Sequence, residues 1–341
     1  MFLSKKLNIS VIIPVYNGGA SFRKCLLKLA EAIPAPLEII VVADGDTDAS
    51  WLVAKNFGAR VIRIPRSSGP ARARNVGARA AKGDILFFVD ADVAISSDAI
   101  GHIQLAFQKE PDLAALIGSY DDDPGSRNFL SQYRNLLHHY VHQTGREEAS
   151  TFWGACGAIR RDIFLKMGGF DDDYFRPSIE DIELGYRLKA AGYKIKLLKT
   201  LQVKHLKHWG PVSMLKADFF YRALPWTDLI LRSKMFTNDL NLRVESRISV
   251  ILTYAVVFFL LASLWQPSLL LLTLLLGLTL VAINAPLYYF FKRKHGTNFA
   301  LKTIPWHWLY YLYSGLAFVI GIIHHYISDG KIAKLMLLSK S

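Results

Sequence analysis

The chain has 341 residues, of which 52% are hydrophobic and 20% charged, and its formal net charge is +13. A chain of this length holds one large α/β domain and an appendage, which excludes an array of several independent domains. Residues 1–240 have the charged composition of an ordinary globular protein, so the apolar excess lies towards the C-terminal end.

The start of the chain and its cysteines bear on the compartment. Residues 1–9 contain two lysines but no apolar stretch long enough for a signal peptide. Cys25 and Cys156 are the only cysteines and lie far apart, which argues against a disulfide framework and against a cysteine-based metal site. We therefore expect the N-terminal part of the chain to face a reducing cytoplasm.

Apolar runs alternate with amphipathic segments in the N-terminal part. Runs rich in β-branched residues predict buried strands, and the segments between them predict helices. In chain order these are strand 9–15, helix 21–32, strand 37–43, helix 50–57, strand 60–64, helix 72–81 and strand 85–89. The alternation is typical of an α/β fold of Rossmann-like type, with a mainly parallel sheet and helices on both faces.

Polar clusters follow each predicted strand, where ligands bind in such sheets. The clusters are Tyr16 and Asn17, residues 44–48, residues 66–69, and the pair Asp90 and Asp92. Two carboxylates that bracket one residue at a strand end can hold a hard divalent cation that also binds a diphosphate. The alternative is that the pair only caps the following helix.

Ordered sequence blocks resemble those of family 2 glycosyltransferases with the GT-A fold. The blocks are residues 11–17, 44–48, 73–77, 83–84 and 88–92, and a second set is residues 153–157, Arg161, 168–171 and 180–188. The second set resembles the acceptor-side region that ends in a Glu-Asp motif, and the whole resemblance covers about residues 8–210. Ala43 departs from the family, which often has an aspartate there, so the identity of the nucleotide base stays open.

The resemblance implies an inverting, metal-dependent enzyme with a nucleotide-sugar site. The residues of that site are Pro14, Val15, Tyr16, Asn17, Asp44, Arg74 and Asp90. The first three residues line the base, Asp44 accepts its ring N–H, and Asp90 meets the ribose or the metal. Alternatives stay open for two members, since Arg74 could lie on a helix surface and Asn17 could serve only the turn.

The same resemblance implies a metal site and a catalytic base. Mg²⁺ or Mn²⁺ is assigned to Asp92 and Asp90, with His205 as a further ligand and His208 as the alternative histidine. A carboxylate within reach of the acceptor hydroxyl takes its proton during inversion.

We assign that role to Asp181, with Glu180 as the second choice, because two adjacent residues at a helix start cannot both point at one atom. The alternative is that the acidic residues of 180–183 only stabilise the positive N-terminus of the following helix.

The C-terminal part predicts a membrane anchor. Lysines and arginines crowd residues 194–247, just before the apolar tail, and an anionic leaflet attracts such residues. Three apolar stretches follow, at about 248–265, 268–291 and 304–327, each near the ~20 residues needed to cross hydrocarbon. The third contains three histidines and could instead lie in the interface. The predicted division is a GT-A domain at 1–210, a basic amphipathic segment at 211–247 and transmembrane helices at 248–341.

These observations predict a multi-pass protein of a bacterial inner membrane with a cytoplasmic catalytic domain. The predicted reaction moves a sugar from a UDP-, GDP- or dTDP-sugar to a lipid, a polyprenyl phosphate or a lipid-linked saccharide. No nucleic-acid partner is expected, since no nucleic-acid-binding motif accompanies the charge. Alternatives are a catalytically silent nucleotide-sugar-binding scaffold, a processive polysaccharide synthase and a nucleotidyltransferase.

Overall fold

A computed structural model describes residues 7–328, and the chain divides into two compact units, Met1–Gly210 and Pro211–Ser341. The first is an α/β unit and the second is helical. Part of the N-terminal segment and the lysines at 331, 334 and 340 lie outside the described residues.

The first unit is built on an eight-stranded sheet with the order β3-β2-β1-β4-β7-β6-β8-β5. The strands are β1 (Ile9–Val15), β2 (Glu38–Asp44), β3 (Arg60–Ile64), β4 (Ile85–Val89), β5 (Val93–Ile95), β6 (Leu113–Tyr120), β7 (Cys156–Arg160) and β8 (Lys194–His205). The helices are α1 (Gly19–Ala30), α2 (Ser50–Asn56), α3 (Pro70–Ala80), α4 (Ala99–Lys109), α5 (Phe129–Thr144), α6 (Arg161–Lys166) and α7 (Glu180–Ala190). The predicted strands and helices of residues 9–89 are therefore present, with ends shifted by at most two residues.

Helices cover both faces of the half of the sheet that β1 to β4 form, as predicted. Val11 and Ile13 point into a core that they share with α1 and α4. On the opposite face, a Cβ atom at Gly77 of α3 would come within 2.6 Å of the Ile12 side chain. Glycine at this position lets α3 lie directly against the sheet, so the strands are buried on both faces and consist of apolar runs.

The prediction of a mainly parallel sheet is correct for the first half and only in part for the second, where β6 pairs in parallel with β8 but the other strand pairs are antiparallel. β3, β2, β1 and β4 pair in parallel, with Ile12 opposite both Ile40 and Phe88. β7 runs antiparallel to β4 and β6, and β5 runs antiparallel to β8, so the whole sheet is mixed. Apolar periodicity identifies a strand but carries no information on its direction, which the connections decide.

The second unit is helical in its described part. α8 (Pro211–Asp218) continues through a π-helical turn, Phe219–Ala223, into α9 (Leu224–Ser233), and a short 3₁₀ turn, Leu240–Leu242, follows. The apolar part consists of α10 (Val244–Ala262), α11 (Leu269–Ile283) and α12 (Ala285–Ser328). α12 is interrupted at Gly296, whose φ of 81° is not helical.

The prediction of three membrane-spanning stretches is wrong in number. Within residues 7–328, two helices are long and apolar enough to cross a membrane, Val244–Ala262 and Ala285–Ile327. The predicted stretch 268–291 is split, because α11 has only 15 residues and ends before Asn284. The Asn284 amide donates to Ser249 Oγ at 3.0 Å and to the Leu280 carbonyl at 2.9 Å, a polar arrangement that hydropathy does not detect.

Candidate functional site

Asp90 and Asp92 follow β4, as the sequence predicted, but they have different surroundings. Asp90 Oδ1 accepts a hydrogen bond from the Arg74 guanidinium at 2.6 Å. Asp92 Oδ2 lies 3.7 Å from Nε2 of His205, at the place where β5 pairs with the end of β8. Asp90 is thus part of an internal ion pair, whereas Asp92 and His205 form a separate pair.

The pair of Asp92 and His205 favours an ionised carboxylate. Burial by itself raises the pKa of Asp92, but the hydrogen bond and charge of His205 and the charge of Lys207 outweigh burial and hold that pKa below its usual range. His208, the alternative histidine, is exposed and its Nδ1 lies 3.0 Å from Ser126 Oγ. Of the two histidines, His205 is the one beside Asp92.

Arg74 lies at the centre of the site, so the helix-surface alternative is wrong. Its guanidinium binds Asp90 and also binds Glu180 at 2.8 Å, and its side chain is only 5% exposed. Burial by itself lowers the pKa of Arg74, but the charges of Asp90 and Glu180 outweigh it and raise that pKa above its usual range. We call Arg74, Asp90 and Glu180 the buried ion network after the buried guanidinium that joins them, although the Asp90 side chain itself is 33% exposed.

Glu180 and Asp181 begin α7 and have different partners. Both oxygens of the buried Glu180 are occupied, one by Arg74 and the other by the backbone N–H of Ser178 at 2.8 Å. Asp181 is half-buried, and its two oxygens accept from the backbone N–H groups of Gly154 at 2.9 Å and of Ile182 at 2.8 Å. Glu180 is buried and ion-paired with Arg74, whereas Asp181 is held by backbone N–H groups and is half-buried, so Asp181 is the more accessible of the two carboxylates.

A single segment joins the two carboxylate motifs. Gly154 donates to Asp181, and Ala155, the next residue, accepts from the backbone N–H of Asp90 at 3.4 Å. A Cβ atom at Gly154 would lie 3.0 Å from the Arg74 guanidinium, so a larger residue would displace Arg74. The segment before β7 thus holds Asp90 and Asp181 at one edge of the sheet.

The predicted base-binding residues are only partly available for contact. Val15 is 2% exposed and its side chain packs in the hydrophobic core, so that side chain is not available to a nucleotide base. Alternate residues of a strand point to opposite faces, and Val15 takes the core side. Pro14 is half-buried and Tyr16 is exposed, so both can meet a ligand.

Asn17 and Asp44 both hold loops in the structure. Asn17 has a left-handed φ of 51° and its side chain accepts from the backbone N–H of Thr47 at 2.8 Å. Asp44 is 4% exposed and accepts from Ser67, Ser68 and Gly69, with the backbone N–H of Ser68 at 2.8 Å. These contacts support the turn role of Asn17, and they occupy the carboxylate that was assigned to the base.

A cleft of about 280 Å³ lies beyond β2 and β3 and was not predicted as a unit. Its lining residues are Gly45, Asp46, Arg63, Ile64 and Pro65.

An aromatic cluster next to the carboxylates was also not predicted from the sequence. Its members are Tyr120, His138, His142, Trp153 and His205. Residues 138–142 contain three histidines, which is unusual for one helix. This pattern is the sequence feature that marks α5 as a candidate part of the site. The ring contacts become visible only once α5, β6 and β8 are assembled.

The donor set at Asp92 suits a metal that is shared with a substrate. Within residues 7–328 no group of three or more His, Cys, Asp or Glu side chains is arranged to hold a metal ion. The Asp92 carboxylate and the His205 imidazole are nonetheless ligands that Mn²⁺ accepts, and Mg²⁺ and Mn²⁺ at diphosphate sites take further ligands from the phosphates and water. The residues present therefore fit a cation that binds together with a diphosphate.

Two family models match the first unit. Residues 10–168 match the model described as glycosyl transferase family 2, and residues 135–209 match a model described as N-terminal domain of galactosyltransferase. The enzyme class that the motifs and the matches define is that of a glycosyltransferase. The match to glycosyl transferase family 2 covers just under half of the chain.

Related sequences carry glycosyltransferase names. The probable glycosyltransferase YdaM of Bacillus subtilis is 28% identical over 204 residues, which are 55% of this chain and 48% of that protein. Validoxylamine A glucosyltransferase of Streptomyces hygroscopicus subsp. limoneus is 28% identical over 259 residues, which are 64% of this chain and 57% of that protein. The chain thus spans about half the length of the curated relatives it matches.

A solved structure shares the fold. The mannosyltransferase PcManGT from Pyrobaculum calidifontis, solved in complex with GDP-Man and Mn²⁺, aligns with a TM-score of 0.58 and 18% identity. The alignment covers 93% of this chain and 88% of that one. At this level of identity the similarity establishes the GT-A-like fold.

Proposed function

We propose that this chain is an inverting glycosyltransferase that moves a sugar from a nucleotide-sugar to an acceptor associated with the membrane. The observation that carries the proposal is the placement of Asp92 and Asp181 at one edge of the sheet. Asp92 pairs with His205, and Asp181 is held through the segment that also contacts Asp90. A transferase needs such a pair of places, one for the leaving diphosphate and one for the attacking oxygen.

Asp92 and His205 are the residues that would hold Mg²⁺ or Mn²⁺. When bound, the cation supplies charge stabilisation to the leaving diphosphate. PcManGT, which shares the fold, was solved with GDP-Man and Mn²⁺, and that complex supports this choice of donor class and metal. Tyr16 and the cleft beside Asp46 are the exposed features that we assign to the nucleotide base.

Asp181 is the group that we assign to proton transfer. The acceptor oxygen forms a bond to the anomeric carbon while the bond from that carbon to the diphosphate breaks. The acceptor proton passes to Asp181, and the bonding electrons leave with the nucleoside diphosphate. The Gly154 N–H holds the Asp181 carboxylate in place but leaves it half-buried, so a hydroxyl can approach it from the exposed side.

Arg74 positions both motifs without taking part in bond changes. Its guanidinium neutralises Asp90 and Glu180 in a buried setting, where unpaired carboxylates are costly. Arg74 thereby holds the start of α7, and with it Asp181, against the end of β4.

The second unit supports a membrane location. In the apolar window of α10, only 17% of the residues are buried, whereas a core helix of a soluble protein is mostly covered. Exposed leucines continue along α11, where Leu271 is 66% exposed. We infer that these helices contact lipid, which favours a lipid or lipid-linked acceptor delivered at the cytoplasmic face.

Nucleoside diphosphate release by the detergent-purified chain tests the proposal. The assay uses Mn²⁺, a panel of UDP-, GDP- and dTDP-sugars, and extracted bacterial lipid added or omitted. We expect release that requires one donor and is stimulated by lipid. Pyrophosphate release would instead identify a nucleotidyltransferase, and donor binding without release would identify a silent scaffold.

A further inference from the structure

The long helix α12 is interrupted by a turn that carries basic residues. As one continuous helix, the candidate span Ala285–Ile327 with its 43 residues would be about 65 Å long, roughly twice the ~30 Å of hydrocarbon in a bilayer. The chain leaves helical geometry at Gly296, where φ is 81° and ψ is 173°. The basic residues on either side of this break are Lys292, Arg293, Lys294 and Lys302. We call residues 292–302 the basic turn.

Aromatic packing joins the two arms of the basic turn. The ring of Phe291, which is completely buried, meets the ring of Phe299 with centroids 6.0 Å apart and planes 78° apart. The ring of Phe299 also lies 4.8 Å from that of His295. Because these contacts connect the segments before and after Gly296, the turn has a defined shape.

The basic side chains of the turn are exposed and have few anionic neighbours. Residues 246–328 contain neither aspartate nor glutamate. Within residues 7–328, Lys292, Arg293 and Lys302 form no ion pair, and all three side chains are exposed. The protein therefore leaves these three positive charges available to a partner.

The basic turn lies at one end of the helical unit. Asn284, which directly follows α11, donates to Ser249 Oγ near the start of α10 at 3.0 Å. The connection between these two helices, residues 263–268, is about equally far along the chain from both residues, so the helices run antiparallel. The chain before Ser249 and the chain after Asn284 thus emerge at the same end, opposite that connection. Arg247 and the basic turn belong to this end.

The two ends of the helical unit differ in charge. Residues 263–268 contain no charged residue, and Trp265 among them is 84% exposed. Beside the basic turn, Tyr289 is 62% exposed and Leu301 is 60% exposed. Exposed aromatic residues at both ends are typical of helices that reach both membrane interfaces, and the basic end is the one that faces the cytoplasm. We therefore expect the basic turn at the headgroup level of the cytoplasmic leaflet, which carries anionic lipids.

We propose that the basic turn is a binding site for the phosphate of an anionic phospholipid headgroup. Lysine and arginine donate charge-assisted hydrogen bonds to phosphate oxygens. The exposed apolar surface at Tyr289 and Leu301 can contact the acyl chains of the same lipid, whereas a soluble phosphate would use only the charges. The inference rests on the lipid contact proposed for the second unit and does not depend on sugar transfer.

The test measures lipid binding by the detergent-purified full chain. Dioctanoyl phosphatidylglycerol supplies an anionic headgroup, and dioctanoyl phosphatidylcholine supplies the same acyl chains without net charge. Microscale thermophoresis gives the Kd for each lipid. We expect the Kd for phosphatidylglycerol to be at least about tenfold lower, because several basic residues near an anionic headgroup add to the affinity. An increase from about 0.1 M to about 0.5 M NaCl should raise that Kd by about threefold or more, because salt screens exposed charges.

A triple substitution locates the binding to the basic turn. The changes Lys292→Gln, Arg293→Gln and Lys294→Gln together should raise the Kd for phosphatidylglycerol at least about tenfold. A second variant keeps the charges and alters only the side chains, with Lys292→Arg, Arg293→Lys and Lys294→Arg. Its Kd should stay within about threefold of the wild-type value, because both side chains donate to phosphate.

A matched control removes the same number and kinds of charge from the first unit. Its changes are at exposed positions of α1 and α2, namely Arg23→Gln, Lys24→Gln and Lys55→Gln. The Kd for phosphatidylglycerol should remain within about twofold of wild type, because these residues lie outside the basic turn and surface charges act over roughly one Debye length.

Several results would overturn the site. They are equal affinity for the two lipids, an unchanged Kd in the triple glutamine variant, and an equal loss of affinity in the matched control. Displacement of phosphatidylglycerol by inorganic phosphate at equal concentration would indicate a soluble phosphate, and tighter binding of farnesyl phosphate would indicate a prenyl phosphate. Either result would also overturn the phospholipid assignment.

The measurements separate this inference from the proposed reaction. The comparison of the two lipids and the salt dependence use the wild-type chain, so they decide the question even where a substitution destabilises the fold. Diphosphate release is not among the readouts. A chain that binds phosphatidylglycerol through the basic turn but transfers no sugar would therefore contradict only the proposed function.

Discussion

The carboxylates of the first unit fall into two groups with different environments. Asp44 and Glu180 are each 4% exposed, and their oxygens are occupied by donors from the protein itself. Asp92 retains 32% of its side-chain exposure, and Asp181 is half-buried beside the segment that precedes β7. Both oxygens of Asp181 also accept backbone hydrogen bonds, so exposure is what separates the two groups, and we call the partly exposed Asp92 and Asp181 the open carboxylates.

This difference shows that a carboxylate in a sequence motif does not always take part in the reaction. A buried and fully paired carboxylate stabilises a loop or a helix start, and it is costly to unpair. A partly exposed carboxylate can be reached by a metal ion or by a hydroxyl proton. Substitutions in the two groups should therefore differ in which property they change, activity for the open carboxylates and stability for the buried ones.

The largest effect is expected for Asp92→Ala. Loss of a metal ligand at the leaving diphosphate removes several kcal/mol of charge stabilisation, so turnover should fall by about 1,000-fold or more. Diphosphate release and Mn²⁺ binding by calorimetry are both measured. Asp98→Ala, whose carboxylate is 63% exposed, is the matched control and should behave as wild type. Turnover by Asp92→Ala at the wild-type rate would contradict the distinction between open and buried carboxylates.

The buried ion network is tested next by Arg74→Met. The change removes the partner of the buried Glu180, while the 33%-exposed Asp90 stays in reach of water, and we expect a loss of about 3 kcal/mol in the free energy of unfolding. The free energy of unfolding is measured by chemical denaturation with tryptophan fluorescence as the probe. Arg79→Met, an exposed position on the same helix, serves as control. Equal denaturation midpoints for both variants would show that the network contributes nothing to stability.

A smaller and more selective effect is expected for Asp181→Asn. The uncharged asparagine amide oxygen still accepts from the Gly154 N–H. It cannot take a proton, so kcat for a hydroxyl acceptor should fall about 100-fold. Nucleoside diphosphate affinity should be retained, and Asp173→Asn at an exposed position should leave kcat unchanged. A normal kcat in Asp181→Asn would transfer the base role to another group.

The smallest effect is expected for Asn17→Gly. Glycine adopts the observed φ of 51° without strain, and the loss of the side-chain hydrogen bond to Thr47 costs about 1 kcal/mol or less. The donor KM and the denaturation midpoint are compared with wild type. A tenfold rise in donor KM with an unchanged midpoint would return Asn17 to the nucleotide site.

Predictions from the sequence were accurate where the position of a strand or a motif depends only on neighbouring residues in the chain. The parallel strands β1 to β4 are apolar runs, and Asp90 and Asp92 follow the fourth of them directly. Strand ends gather at one edge of a parallel sheet, so these positions required no knowledge of distant contacts. The family resemblance over residues 8–210 was likewise carried by local motifs, and the glycosyl transferase family 2 match over residues 10–168 confirms it.

Failures occurred where two distant segments meet. Val15 and Tyr16 are neighbours in sequence, but only the packing of α1 and the core shows that Val15 points inwards. The occupation of Asp44 by residues 67–69 and the division of the second apolar stretch at Asn284 depend equally on contacts between separate segments. Local patterns do not encode those contacts.

The sequence by itself determined the enzyme family, the first half of the sheet, the two acidic motifs and the apolar character of the C-terminal part. It could do so because apolar periodicity and short motifs act over a few residues. Only the tertiary structure decided that Arg74 joins Asp90 to Glu180, that His205 faces Asp92, and that Tyr120, His138 and Trp153 form one aromatic cluster. Those contacts join residues far apart in the chain, and the folded backbone alone brings them within bonding distance.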